Sequence, residues 1–153
     1  FMSIPSNSCQ TSPMKRFLAP ILLVVLLFPT LALGEEVTMD DLVWREMDGL
    51  YFNKFTEVPF DGKVTGQEQG SLKDGKRDGS WIFYRDNGQL FKKGTYKDGK
   101  KEDLWETYWD NGQLFEKGAY KDGKREGSWE YYKQDGTVWE KNTGTYKDGV
   151  KVK

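Results

Sequence analysis

At 153 residues the chain is long enough for one small domain and too short for several. It has no His, which removes the commonest general base and metal ligand, and a single Cys, which rules out a disulfide framework. Charged residues make up 31% of the chain at a formal net charge of −1, so they describe a solvated surface rather than the basic patch of a nucleic-acid binder.

Residues 1–13 precede Met14 and include the one Cys, Cys9; they read as translated upstream sequence ahead of the true start. From Met14 the chain has the layout of a secretory signal peptide. Lys15 and Arg16 form a positive n-region, an apolar run follows over 17–28, and Pro29 breaks it. Ala32 and Gly34 are small residues at the −3 and −1 positions of a cut before Glu35. An uncleaved membrane anchor is the alternative, because 17–33 nearly reaches the ~17-residue lower bound for a span. No Cys follows the apolar run, so a lipid-anchored lipoprotein is not expected. Removal of residues 14–34 with what precedes them leaves 21 basic against 24 acidic residues, a net charge of −3. The expected location is the periplasm or the cell exterior.

Beyond residue 62 the chain repeats itself. "WIFYRDNGQLFKKGTYKDGK" begins at Trp81, "WETYWDNGQLFEKGAYKDGK" at Trp105, and "WEYYKQDGTVWEKNTGTYKDG" at Trp129. Lys-Asp-Gly ends at Gly75, Gly99, Gly123 and Gly149, and Asn87-Gly88, Asn111-Gly112 and Asp135-Gly136 keep step with the Trp residues. Asn-Gly and Asp-Gly favour two-residue type I′ turns, whose central residues both need positive φ. Runs rich in Trp, Tyr, Phe and Thr lie between these turns and favour strands. Each 24-residue unit therefore contributes two strands.

A two-residue turn at Asn87-Gly88 sets Arg85 opposite Leu90, Tyr84 opposite Phe91 and Trp81 opposite Gly94. The equivalent turns set Tyr108 opposite Phe115, Glu106 opposite Lys117, Trp105 opposite Gly118, Tyr132 opposite Trp139 and Glu130 opposite Lys141. Aromatic and opposite-charge cross-strand pairs of this kind contribute about 0.2–1 kcal/mol each. Each Trp is expected to cover the bare backbone of the Gly opposite. Trp81, Trp105 and Trp129 share one face, and Tyr84, Tyr108 and Tyr132 the other. Aliphatic residues are scarce after Glu35, so a second core layer is not expected. The expected fold is all-β: a single-layer antiparallel β-meander from about residue 50 to 151. Its seven or eight strands at ~4.8 Å spacing span roughly 35 Å.

The pattern G-S-W-x-x-Y-x-x-N-G-Q-L-x-x-x-G-x-Y-K-D-G-K resembles the MORN repeat, specifically its bacterial variant, whose chains are often labelled antitoxin-component-like. The resemblance covers residues 62–149, with three good units and a degenerate leading one. Residues 150–153 form a tail. The lead-in over 48–64 resembles the N-terminal cap of that group, within a cap segment at 35–61. Two departures stand out. Asp103 occupies the place of Gly79 and Gly127, and a two-residue insertion near Asn142 and Thr143 implies a bulge. The resemblance implies a scaffold, a membrane-apposed module or a protein-binding surface, and its label implies, as an alternative, an antitoxin or immunity component.

No G-x-S-x-G elbow, P-loop or dinucleotide fingerprint is present, and no acidic cluster has Ca-loop spacing. Asp98, Asp122 and Asp148 repeat identically at turns, which suits turn formation better than catalysis. We expect no enzyme activity and no cofactor. The aromatic rows have two readings. They form a structural ladder, or they form a binding strip of Tyr84, Tyr108, Tyr132, Phe91, Phe115 and Trp139, repeated ~10 Å apart on every second strand. The Lys-rich turns (Lys97, Lys100, Lys101, Lys121, Lys124, Arg125) are a solvated surface or touch anionic lipid heads. The expected partner is a protein or a cell-envelope surface, glycan or lipid, and not nucleic acid.

Overall fold

The structure is a computed structural model and describes residues 36–153. The expectations for residues 1–13 and 14–34 lie outside the described residues. Among the described residues no helix is long and apolar enough to cross a membrane.

Nine strands form one meander in chain order: β4 (Gly62–Thr65), β5 (Glu68–Lys73), β6 (Lys76–Tyr84), β7 (Leu90–Lys97), β8 (Lys100–Tyr108), β9 (Leu114–Lys121), β10 (Lys124–Tyr131), β11 (Gly144–Lys147) and β12 (Val150–Lys151). All neighbours in this run are antiparallel. The expected meander is thus present, with two corrections at its start. An added edge strand, β1 (Glu36–Thr38), lies parallel to β4 and brings the sheet to ten strands. The expected first strand, β3 (Leu50–Asn53), pairs instead with β2 (Leu42–Arg45) in a separate two-stranded sheet. This hairpin supplies Leu42 to the core.

The Lys-Asp-Gly turns have the expected geometry. Asp74, Asp98, Asp122 and Asp148 have φ of 49–52°, and each following Gly is also positive, which defines type I′. Each turn also leans on the preceding unit. Gly99 donates its N–H to Arg77 O, Gly123 to Lys101 O, and Gly149 to Arg125 O, each at 2.9 Å. The neighbouring Asp122 and Asp148 N–H groups reach the carboxylates of Glu102 and Glu126.

The Asn-Gly turns differ from expectation. Gly88 has φ of 78°, while Asn87 does not enter the positive region. Gly88 N–H donates to Arg85 O at 2.8 Å and Arg85 N–H to Gln89 O at 2.9 Å, the pattern of a type I turn closed by a Gly bulge. Arg85 therefore faces Gln89 rather than Leu90, and Tyr84 pairs with Leu90 rather than Phe91. Phe91 is the extra residue of a second bulge, and it restores the register, so Trp81 still pairs with Gly94. Tyr108 likewise pairs with Leu114 rather than Phe115, while Trp105–Gly118 and Glu106–Lys117 stand as expected.

In the third unit Tyr132 bridges to Val138 rather than Trp139. The insertion then forms a turn closed by Asn142 N–H on Trp139 O, and the strand resumes with Gly144 opposite Trp129. Glu130 therefore pairs with Lys117 on β9, not with Lys141.

The core lies on the Trp face. Trp81 and Trp129 are 0% and 1% exposed, and Trp105, Phe83, Tyr96 and Tyr131 are also buried. Tyr96 stands edge-on to Trp105 at 5.0 Å between ring centres, and Tyr120 to Trp129 at 5.1 Å. The ring covering each Gly comes from the strand across the Lys-Asp-Gly turn, not from a Trp it pairs with across the Asn-Gly turn. Trp81 lies over Gly70, Trp105 over Gly94 and Trp129 over Gly118, so close that a Cβ on any of these glycines would fall within the indole. Each indole N–H then donates to the next carbonyl along: Trp81 to Ser71 O, Trp105 to Thr95 O, Trp129 to Ala119 O, at 3.0–3.1 Å. At the far end Lys151, not a Trp, covers Gly144, and its ammonium donates to Thr143 O at 2.9 Å.

Candidate binding face

The face opposite the Trp stack carries Tyr84 on β6, Tyr108 on β8 and Tyr132 just past β10. Alternation along a strand places them there, since Trp81 and Phe83 point inward. All three are half-buried. Two repeat a three-residue device. The Lys93 ammonium is 2.8 Å from the Glu106 carboxylate, which also accepts the Tyr108 hydroxyl at 2.8 Å. Lys117 is 3.0 Å from Glu130, which accepts the Tyr132 hydroxyl. The hydrogen bond from Lys93 holds the Glu106 carboxyl below its ordinary pKa; for Glu130 the Tyr132 hydroxyl acts first and Lys117 second. Burial and the Glu106 bond push the Tyr108 phenol up.

Tyr84 lacks this arrangement. Ile82 stands where Glu106 and Glu130 stand, so Tyr84 has no carboxylate two residues before it. Tyr84 lines an open depression with Gln67, Gln69, Arg85 and Asp86. A second shallow depression, lined by Ile82, Lys93, Gly94, Leu104 and Glu106 but not by Tyr84, lies farther along the same strands. Leu104, 55% exposed, forms its apolar rim.

The other members of the expected strip lie elsewhere. Phe91 packs against the core cluster on the Trp face, and Phe115 lies 5.9 Å from the buried Tyr131 ring. Their bulges turn them inward. Trp139, 37% exposed, sits at the insertion turn. One role was missed by sequence reasoning. Arg85 and Trp109, 24 residues apart, both reach forward to a backbone carbonyl of the next unit, Tyr108 O at 2.8 Å and Tyr132 O at 3.0 Å. Their equivalent spacing was the available signal; their unlike chemistry hid it. Among the described residues no group of carboxylates gathers as a metal site.

Stacked hairpins in one sheet, each supporting the next through the same ring and the same turn, define a β-repeat protein. Two consecutive units, residues 77–98 and 104–122, match the family model described as MORN repeat variant, so the chain carries MORN-type repeats. No curated protein matches it. MORN repeats serve in general as binding and scaffolding modules for proteins or membrane lipids.

Proposed function

We propose that this protein is a non-catalytic binding or scaffolding module that works outside the cytoplasm and engages a protein or an envelope surface through its Tyr face. The observation that carries this reading is the asymmetry of that face. Tyr108 and Tyr132 are tied down by carboxylates, whereas Tyr84 has no such partner and lines an open depression with Gln67, Gln69, Arg85 and Asp86. A half-buried phenol with no carboxylate holding it suits recognition, where Tyr supplies contact area and one polar handle. Export rests on the signal-like residues 14–34.

The test is a pull-down from envelope extract, run beside binding to peptidoglycan and to anionic liposomes. Replacement of Tyr84, Tyr108 and Tyr132 by Ser leaves the Trp stack untouched and is expected to remove the interaction. A folded triple variant that keeps every interaction defeats the reading. The alternative, an immunity role, predicts a toxic neighbouring gene product that this protein renders harmless on co-expression.

A further inference from the structure

The Trp face repeats one ion pair twice. Arg77 binds Glu68, and Arg125 binds Glu116 at 3.0 Å. Glu116 also accepts the Thr107 hydroxyl at 3.4 Å, so its two oxygens are both engaged. Each pair spans a Lys-Asp-Gly hairpin, β5–β6 in the first case and β9–β10 in the second. The hairpin between them, β7–β8, puts Lys92 where Glu68 and Glu116 stand and Lys101 where Arg77 and Arg125 stand. The anion of the pair has been replaced by a second cation.

Both ammonium groups sit among rings. Lys101 Nζ is 4.3 Å from the Trp105 ring centre and 4.7 Å from that of Tyr120. Lys92 Nζ is 4.4 Å from Phe83 and 5.4 Å from Phe91. Both side chains are half-buried, and among the described residues neither makes a salt bridge. Burial lowers both amine pKa values, and Lys101 lowers that of Lys92 further. Ring faces attract a cation, but they do not supply the counter-charge that the flanking hairpins have.

We propose that Lys92 and Lys101 form a seat for a carboxylate supplied in trans, from an acidic side chain of an extended partner peptide. The incoming group completes the ion pair that Glu68 and Glu116 complete within their own hairpins. Those same two carboxylates flank the seat, so it accepts one negative charge and disfavours a multiply charged phosphate or a dense anionic surface. The seat is on the face opposite Tyr84, and it does not depend on the Tyr-face reading.

The probes are acetyl-Gly-Glu-Gly-amide and its Gln counterpart at matched ionic strength. They are followed by NMR at the Trp105 indole N–H and the Lys side-chain signals. The Glu peptide is expected to shift Lys92, Lys101 and Trp105 with an affinity on the order of millimolar, and the Gln peptide at least about tenfold more weakly. Lys92→Glu restores the pair in cis. It is expected to melt at or above the wild-type temperature while losing the response to the Glu peptide. If that variant does not fold, Lys92→Met removes the charge and keeps the stem, with the same loss expected. Equal responses to the two peptides, a wild-type response in the folded Lys92 variant, or inorganic phosphate acting at about tenfold lower concentration each overturns the proposal. The Tyr84, Tyr108 and Tyr132 Ser variant keeps its response, which separates a failure here from a failure of the Tyr face.

Discussion

The indole of Trp105 occupies the space that any side chain at Gly94 would need. The two residues belong to adjacent strands, β8 and β7, and the sheet register slips around Gly94. The ring lies on bare backbone and bonds the carbonyl of Thr95 beside it.

Gly94→Ala is therefore expected to destabilise by about 1–3 kcal/mol through overpacking, since the neighbour is a rigid ring. Gly79→Ala is the control. Gly79 has φ of 76° but open space around it, so only the backbone cost of about 1 kcal/mol applies. Trp105→Ala should cost about 3–5 kcal/mol. Urea midpoints measure all three, and a Gly94→Ala protein as stable as wild type defeats the close-contact account.

Asp103 holds φ of 54° where Gly79 and Gly127 hold 76° and 71°. The substitution leaves the backbone as in the flanking units, because a Cβ at Gly79 or Gly127 would meet nothing within 4 Å and Asp tolerates the left-handed region better than most residues. Asp103→Gly is expected to stabilise by about 0.5–1 kcal/mol, the strain relieved less the added freedom of the unfolded chain. Chemical denaturation of the single variant decides this; a fall in midpoint contradicts it.

Glu106 and Glu130 both have folded pKa values below the unfolded value of about 4.3. A depressed carboxylate contributes stability above its unfolded pKa and loses it as pH falls through the folded value. Melting temperature is thus expected to drop most steeply below about pH 4.5. The Glu106→Gln, Glu130→Gln protein should show a shallower acid slope. An unchanged slope in that double variant shows that these two ion pairs do not govern acid stability.

The Lys-Asp-Gly turns and the 24-residue period were legible because type I′ geometry makes specific demands on residue type. The register of Trp81 with Gly94 was legible too, although for an incomplete reason. The turn at Asn87-Gly88 is longer by one residue than a type I′ turn, and the Phe91 bulge cancels the shift. Two compensating irregularities leave no trace in a spacing argument. They do decide the strip, because a bulge sends Phe91 and Phe115 to the core and leaves Tyr84 beside Leu90. The parallel pairing of β1 with β4 and the β2–β3 hairpin were not legible, since neither carries a turn signal that names its partner. The alternation Glu68, Lys92, Glu116 was in the sequence throughout, but it acquires meaning only once the three side chains are known to share a face.

The Trp seats and the Lys-Asp-Gly turns of this sheet all point one way along the chain. Trp105 needs Gly94, Trp129 needs Gly118, and the turn at Gly99 needs the carbonyl of Arg77. Each of these rings and turns relies on something earlier, while tethers such as those from Arg85 and Trp109 run the other way. A chain shortened after Asp122 still has Trp81 over Gly70 and Trp105 over Gly94, whereas one begun at Arg77 leaves Trp81 bare. During synthesis each hairpin emerges onto a foundation already laid, so the molecule is assembled like a wall whose courses the ribosome delivers from the bottom up.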